Sequence, residues 1–151
     1  MEAHNFCVPF LFVDGGETMK IAVIDGQGGG IGKHITMKLR STLGEEYEII
    51  GLGTNAVATT AMLKAGANEV ATGESAISHM AAKVDIIVGS VSILSAYSMC
   101  GEVTPKMVEA IGSSDARKIL LPVNRNHIEI VGVVREPVPH QIDRLVARLY
   151  C

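Results

Sequence analysis

Short apolar runs alternate with amphipathic stripes along most of the chain. Residues 20–24 (KIAVI) form a β-branched apolar run ending at Asp25-Gly26, which predicts a buried strand. Ile31, Ile35, Leu39 and Leu43 recur at steps of four, predicting a helix over 30–43 that Gly44 stops. Residues 48–52 read as a second strand. Asn55 is placed to cap a helix that runs to Ala65 and ends at Gly66. Residues 69–71 predict a short third strand, 73–82 a helix capped by Thr72, 84–89 a fourth strand and 91–100 another helix. Thr104-Pro105 is a helix start, a capping hydroxyl before a proline at the first helical position, with the end at Gly112. Residues 118–123 and 127–133 read as fifth and sixth strands. After Pro137 and Pro139, Ile142, Leu145, Val146 and Leu149 form the stripe of a last helix.

This alternation predicts an α/β fold, a Rossmann-like three-layer sandwich with a mainly parallel sheet. Only Asn124-Arg125-Asn126 separate the last two predicted strands. A parallel pair needs a much longer crossover, so an antiparallel last strand is expected. The second helix, AVATTAMLKAG, carries one charge, Lys64. A helix apolar nearly all round is buried on more than one side. Packing against the sheet explains that, and a homodimer interface is the alternative.

Composition narrows the function classes. A chain of 151 residues fits one domain. The formal net charge of -3, with three Phe, three Tyr and no Trp, supplies neither the basic patch nor the stacking platform of a nucleic-acid binder. The apolar stretch 84–100 is interrupted by Asp85 and four serines, which argues against a membrane span. Cys7, Cys100 and Cys151 are far apart and form no CxxC pair. They imply neither a disulfide framework nor a zinc site, and fit thiols in a reducing cytoplasm.

Residues 1–18 (MEAHNFCVPFLFVDGGET) look foreign to the domain. They lack the positive start and the small-residue cleavage site of a secretory signal. The Gly15-Gly16-Glu17 string before Met19 can be encoded by a purine-rich run of the ribosome-binding kind. Met19 is therefore the expected start, with 1–18 a mis-called extension or a flexible arm and 19–151 a single domain.

The main motif is Asp25-Gly26-Gln27-Gly28-Gly29-Gly30-Ile31-Gly32-Lys33, between the first strand and the first helix. Glycines let backbone N–H groups approach a ligand closely. The helix behind them offers unpaired N–H groups and a positive dipole end, an anion site usually used for phosphate. The spacing of Gly26, Gly30 and Gly32, with Gly-Ile-Gly-Lys, resembles the cofactor turn of short-chain dehydrogenases. That resemblance implies NAD(P) or another nucleotide. The family's catalytic Tyr-x3-Lys is missing, since Gly51 and Gly101 stand at that offset from Tyr47 and Tyr97. No acidic residue follows the second strand to hold a ribose; Gly53-Thr54-Asn55 stand there. Gly29-Gly30-Ile31-Gly32-Lys33 also resembles the P-loop of partitioning-type ATPases. Gly28 takes the place of that family's first lysine, and His34 that of its magnesium-binding Ser or Thr. Asp25 would repel an anion unless a cation or a ligand hydroxyl intervenes. The plain alternative is that the glycines serve only close helix–strand packing.

Ligands of open α/β sheets bind outside the carboxyl ends of the strands. The second strand delivers Thr54 and Asn55 to that rim, the fourth Gly89 and Ser90, and the fifth Asn124 and Arg125. Arg125 suits a phosphate or carboxylate, and Asn124–Asn126 equally suit a hairpin turn. No HExxH or GxSxG motif occurs, so catalytic residues are unknown and no metal is expected. KIAVIDGQGGGIGK, GTNAVATTAMLKAGANE, GEVTPKM and KILLPVN together resemble an uncharacterised bacterial family of anaerobic Firmicutes. The expected function is binding of a nucleotide or another small phosphorylated ligand at the turn. The alternatives are a minimal NAD(P)-dependent oxidoreductase and an interaction protein with a structural turn.

Overall fold

A computed structural model describes residues 16–123 and 127–149. Among these residues five strands and five α-helices alternate: β1 Lys20–Asp25, α1 Gly30–Leu43, β2 Glu48–Gly53, α2 Ala56–Lys64, β3 Glu69–Thr72, α3 Glu74–Ala81, β4 Ile86–Ser90, α4 Pro105–Ser113, β5 Arg117–Leu121 and α5 Val138–Ala147. The strands form one sheet in the order β3-β2-β1-β4-β5, and every pairing is parallel.

β1 is central because it can be buried on both faces. Ile21 and Val23 pack with Ile35, Leu39 and Leu43 of α1 and with Ile142, Leu145 and Val146 of α5. Ala22 and Ile24 pack on the other face with Ile77 of α3 and Met107 and Ile111 of α4. That period of two on a central strand, with helices on both faces, gives the three-layer, Rossmann-like layout. The strand order reverses between β1 and β4, so the carboxyl ends of these two strands flank the switch point.

The expected antiparallel last strand is not there. Among the described residues the sheet ends at β5, and residues 127–137 run outside it as irregular chain. The backbone explains why. His127 has φ 55° and Gly132 has φ 89°, so left-handed residues lie at the start and within the β-branched run. Asn124, Arg125 and Asn126 lie outside the described residues.

The helix expected over 91–100 is also replaced. A 3-10 turn, Val91–Leu94, is followed by tight turns. Serine hydroxyls there take backbone partners: Ser90 Oγ accepts from the Ser92 N–H at 3.0 Å, and Ser98 Oγ donates to the Ser92 carbonyl at 2.5 Å. Tyr97, Met99 and Cys100 then adopt positive φ. Gly73, not Thr72, is the N-cap of α3. α2 buries Ala58, Thr59 and Met62 and leaves Val57 and Leu63 exposed, so its apolar character is only partly explained by the core. Among the described residues no helix is long and apolar enough to cross a membrane.

Candidate functional site: the glycine-rich turn at the switch point

The turn leaves β1 at Asp25 and enters α1 at Gly30, as the sequence predicts. Asp25 is 6% exposed, and its carboxylate belongs to the fold. Oδ1 accepts from the Gly26 N–H at 2.8 Å, and Oδ2 accepts from the Gly32 N–H at 2.6 Å. The N-cap of α1, Gly29, has no side chain to offer, and the helix has no acidic residue in its first turn. Asp25 therefore caps α1 from the preceding strand, satisfying one of the N–H groups that a helix start leaves open. Burial pushes its carboxyl above the usual carboxylate range, against the hydrogen bonds from Gly32 and Gly26. The nearby charge of Glu102 pushes it the same way.

The five glycines divide into two groups. A Cβ on Gly26 would strike the Thr54 hydroxyl and stand 2.7 Å from Met99 Sδ. On Gly29, whose φ is 72°, it would stand 2.7 Å from Ala58 Cα, and on Gly32 2.8 Å from Asp25 Cβ. These three are required by packing. A Cβ on Gly28 or Gly30 would meet nothing within 4 Å. Packing therefore does not explain the glycines at 28 and 30.

The remaining N–H groups follow the same division. Gly29 donates to the Gly26 carbonyl at 2.9 Å and Lys33 to the Gly29 carbonyl at 2.8 Å. Gly28, Gly30 and Ile31 make no backbone N–H hydrogen bond among the described residues. Lys33 and His34 are exposed beside them.

A residue that sequence reasoning missed closes the other side. Glu102, from the loop between β4 and α4, reaches across the turn to the end of β2. Its Oε1 accepts from the Gln27 N–H at 3.1 Å, the Thr54 hydroxyl at 2.8 Å and Asn55 Nδ2 at 2.5 Å. Burial would raise its carboxyl, but the bonds from Asn55, Thr54 and Gln27 together hold it below the usual range. A carboxylate from another loop thus stands at the end of β2, bound to the chain's own donors. The only signal in the sequence is a lone Glu after Gly101, which no local pattern connects to Thr54.

Gln27 is pinned on both sides. Its φ is 48°, its Nε2 lies 3.7 Å from Cys100 Sγ, and its carbonyl accepts from Asn55 Nδ2 at 2.9 Å. Asn55 also caps α2, accepting from the Ala58 N–H at 2.9 Å, as expected from the sequence. The two expected residues of β4 stand apart from the turn. Gly89 is buried against β1, where a Cβ would lie 2.7 Å from the Ile24 carbonyl oxygen. The Ser90 hydroxyl donates to the Val123 carbonyl and ties down the chain beyond β5. Asn124 and Arg125 are outside the described residues. Two cavities lie elsewhere, one beside β5 and one between α1 and α5. Among the described residues no group of three or more His, Cys, Asp or Glu could hold a metal ion.

Fold and turn together define an α/β domain of Rossmann-like layout with a glycine-rich loop at its switch point. Residues 20–150 match the family described as a domain of unknown function, DUF3842, and the chain belongs to that family. No curated protein matches the chain. It is similar to a universal stress protein solved in complex with cAMP, at 19% identity and TM-score 0.40, covering 70% of this chain and 98% of that one. It is also similar to a dodecameric FMN-dependent UbiX-like decarboxylase from Escherichia coli O157:H7, at 14% identity and TM-score 0.41, covering 87% and 92%.

Proposed function

We propose that the domain binds a nucleotide or another small phosphorylated ligand at the glycine-rich turn. The observation that supports this reading is the open pair Gly28 and Gly30. No neighbour requires a glycine at either position, and the N–H groups of Gly28, Gly30 and Ile31 beside them have no hydrogen-bond partner among the described residues. Those groups, the positive end of α1 and the exposed Lys33 favour an anion. Asp25 is no obstacle on this reading, because its charge is already engaged by Gly26 and Gly32.

Glu102 limits the ligand's shape. With Met99 against Gly26 and Glu102 on Thr54 and Asn55, the path from the turn to β2 is filled by the chain itself. The phosphate group belongs on the Gly28–Ile31 side, and a dinucleotide laid across β2 does not fit beside the closed loop. The domain is read as a binding or sensor module of the cytoplasm.

The test is a thermal-shift series with inorganic phosphate, ATP, GTP, FMN, NAD and NADP. A ligand at about 100 times its Kd should stabilise the fold by roughly 2.7 kcal/mol. Gly30→Val should fold, since the position has room, and should lose the shift. No shift with any compound, or an equal shift in Gly30→Val, would count against the reading.

A further inference from the structure

Below the glycine-rich turn, α1 has two different flanks. One faces α2: a Cβ on Gly29 would meet Ala58, and one on Gly32 would stand 3.0 Å from Met62 Sδ. The other faces α5. There His34, Met37 and Ser41 of α1 and Pro139 and Ile142 of α5 wall a cavity of about 360 Å³. That volume lies within the range of small-molecule pockets. All residues of its lining are among the described ones.

The cavity lies in line with the turn. Residues four apart share a helix face, so Gly30, His34 and Lys38 follow one line down α1, with Met37 and Ser41 beside it. Gly30 stands one turn above His34, and a Cβ there would meet nothing within 4 Å. No side chain therefore stands on that line between the cavity and the N–H groups of Gly28, Gly30 and Ile31. From Gly30 to Ser41 the line is roughly 16 Å long, at 1.5 Å per residue.

We propose that this groove takes the body of the ligand whose phosphate sits at the turn, and that the ligand is a phosphate monoester with an alkyl or aryl body. The inference rests on the phosphate reading of the turn. The lining decides the chemistry. Met37, Pro139 and Ile142 offer apolar surface, and a methionine adapts its shape to what it meets. Lys38 Nζ pairs with Asp143 Oδ1 at 3.1 Å, so the two charges beside the groove answer each other. A second phosphate or a carboxylate finds no unpaired lysine or arginine in this lining. The β2 side of the turn is closed to the body by Met99 against Gly26 and by Glu102 on Thr54 and Asn55. The α5 side carries none of these groups.

Equilibrium binding of inorganic phosphate and of ethyl, butyl and hexyl phosphate to the full chain tests the proposal. Affinity should rise about three- to fourfold with each methylene that enters the groove. Met37→Gln makes an exposed wall residue polar while keeping its size and helix propensity. It should flatten that rise and leave binding of inorganic phosphate unchanged. Leu63→Gln, on α2, alters a residue that is 49% exposed, as Met37 is, and should leave the rise as it was. Phosphate binding without any gain from chain length overturns the groove and keeps the turn. So does a gain that Met37→Gln leaves intact or that Leu63→Gln abolishes. Failure of all four compounds to bind overturns the reading of the turn, and this inference with it.

Discussion

Glu102 Oε1 lies 2.8 Å from the Thr54 hydroxyl, and that bond joins the loop after β4 to the end of β2 across the glycine-rich turn. The same oxygen holds the Gln27 N–H and Asn55 Nδ2. One carboxylate therefore fixes three segments that the sheet alone would leave apart.

Glu102→Gln should flatten part of the acid limb of unfolding. The folded protein holds this carboxyl below its ordinary value of 4.5. Its contribution to stability is therefore present above 4.5 and lost as pH falls through the lower, folded value. Urea midpoints of the two proteins should converge at acid pH and separate toward neutrality. In phosphate titrations Glu102→Ala should bind on the order of tenfold more tightly, since a like charge is removed near the turn. Weaker binding would instead place Glu102 among the ligand's own contacts.

Asp25 has the opposite sign. Its folded value is raised above the ordinary 3.8, so the folded chain holds the proton more tightly than the unfolded one. The stability this group contributes is full below 3.8 and is lost as pH rises through the folded value. Asp25→Asn removes that component, so the stability advantage of the wild type should shrink from acid to neutral pH. At all pH values the amide would face one of the two N–H donors, Gly26 or Gly32. That unsatisfied contact costs about 1–3 kcal/mol. Chemical denaturation at several pH values checks both statements, and an advantage growing with pH contradicts the first.

Alanine substitutions should sort the glycines of the turn. Gly29→Ala and Gly32→Ala should each destabilise by about 1–3 kcal/mol, the first through its positive φ and both through overpacking. Gly28→Ala should be neutral or stabilise by about 0.4–1 kcal/mol, because its φ is one that alanine adopts and nothing crowds the site. The same change should weaken phosphate binding. Loss of stability at Gly28 without loss of binding would move that residue into the packing group.

Asn55→Ala removes the cap of α2 and the ties to Gln27 and Glu102. A destabilisation of about 1–2 kcal/mol is expected, with Asn55→Asp recovering the cap to Ala58 but not the donation to Glu102. Thermal unfolding of the three proteins separates the two roles.

Much of this fold is written in local patterns. The run KIAVI, the step-of-four stripe from Ile31 to Leu43, the cap at Asn55 and the Thr104-Pro105 start all mark elements that the structure contains. Each depends on neighbours within a turn or two. What local pattern misses is longer in range. Residues 127–133 have strand composition, but the positive φ of His127 and Gly132 prevails and leaves the run outside the sheet. Glu102 lies 75 residues from Gln27 and 48 from Thr54, so its role is visible only after β4 has been placed beside β1. The chemistry of Asp25 was hidden likewise. A carboxylate at a glycine-rich turn reads as a conflict with any anion until the Gly32 N–H is seen to hold it.

The strand order has a consequence for synthesis on the ribosome. β1 is made first yet sits in the middle of the sheet, flanked by β2 and β4. Its β4-side edge stays open until β4 has been translated, and the Lys20 N–H waits for Asp85, 65 residues later. Through that interval the nascent chain presents one of its most apolar strands with an unfilled edge. Such a chain folds late rather than progressively, and its yield should depend on chaperone supply and translation speed more than its final stability suggests.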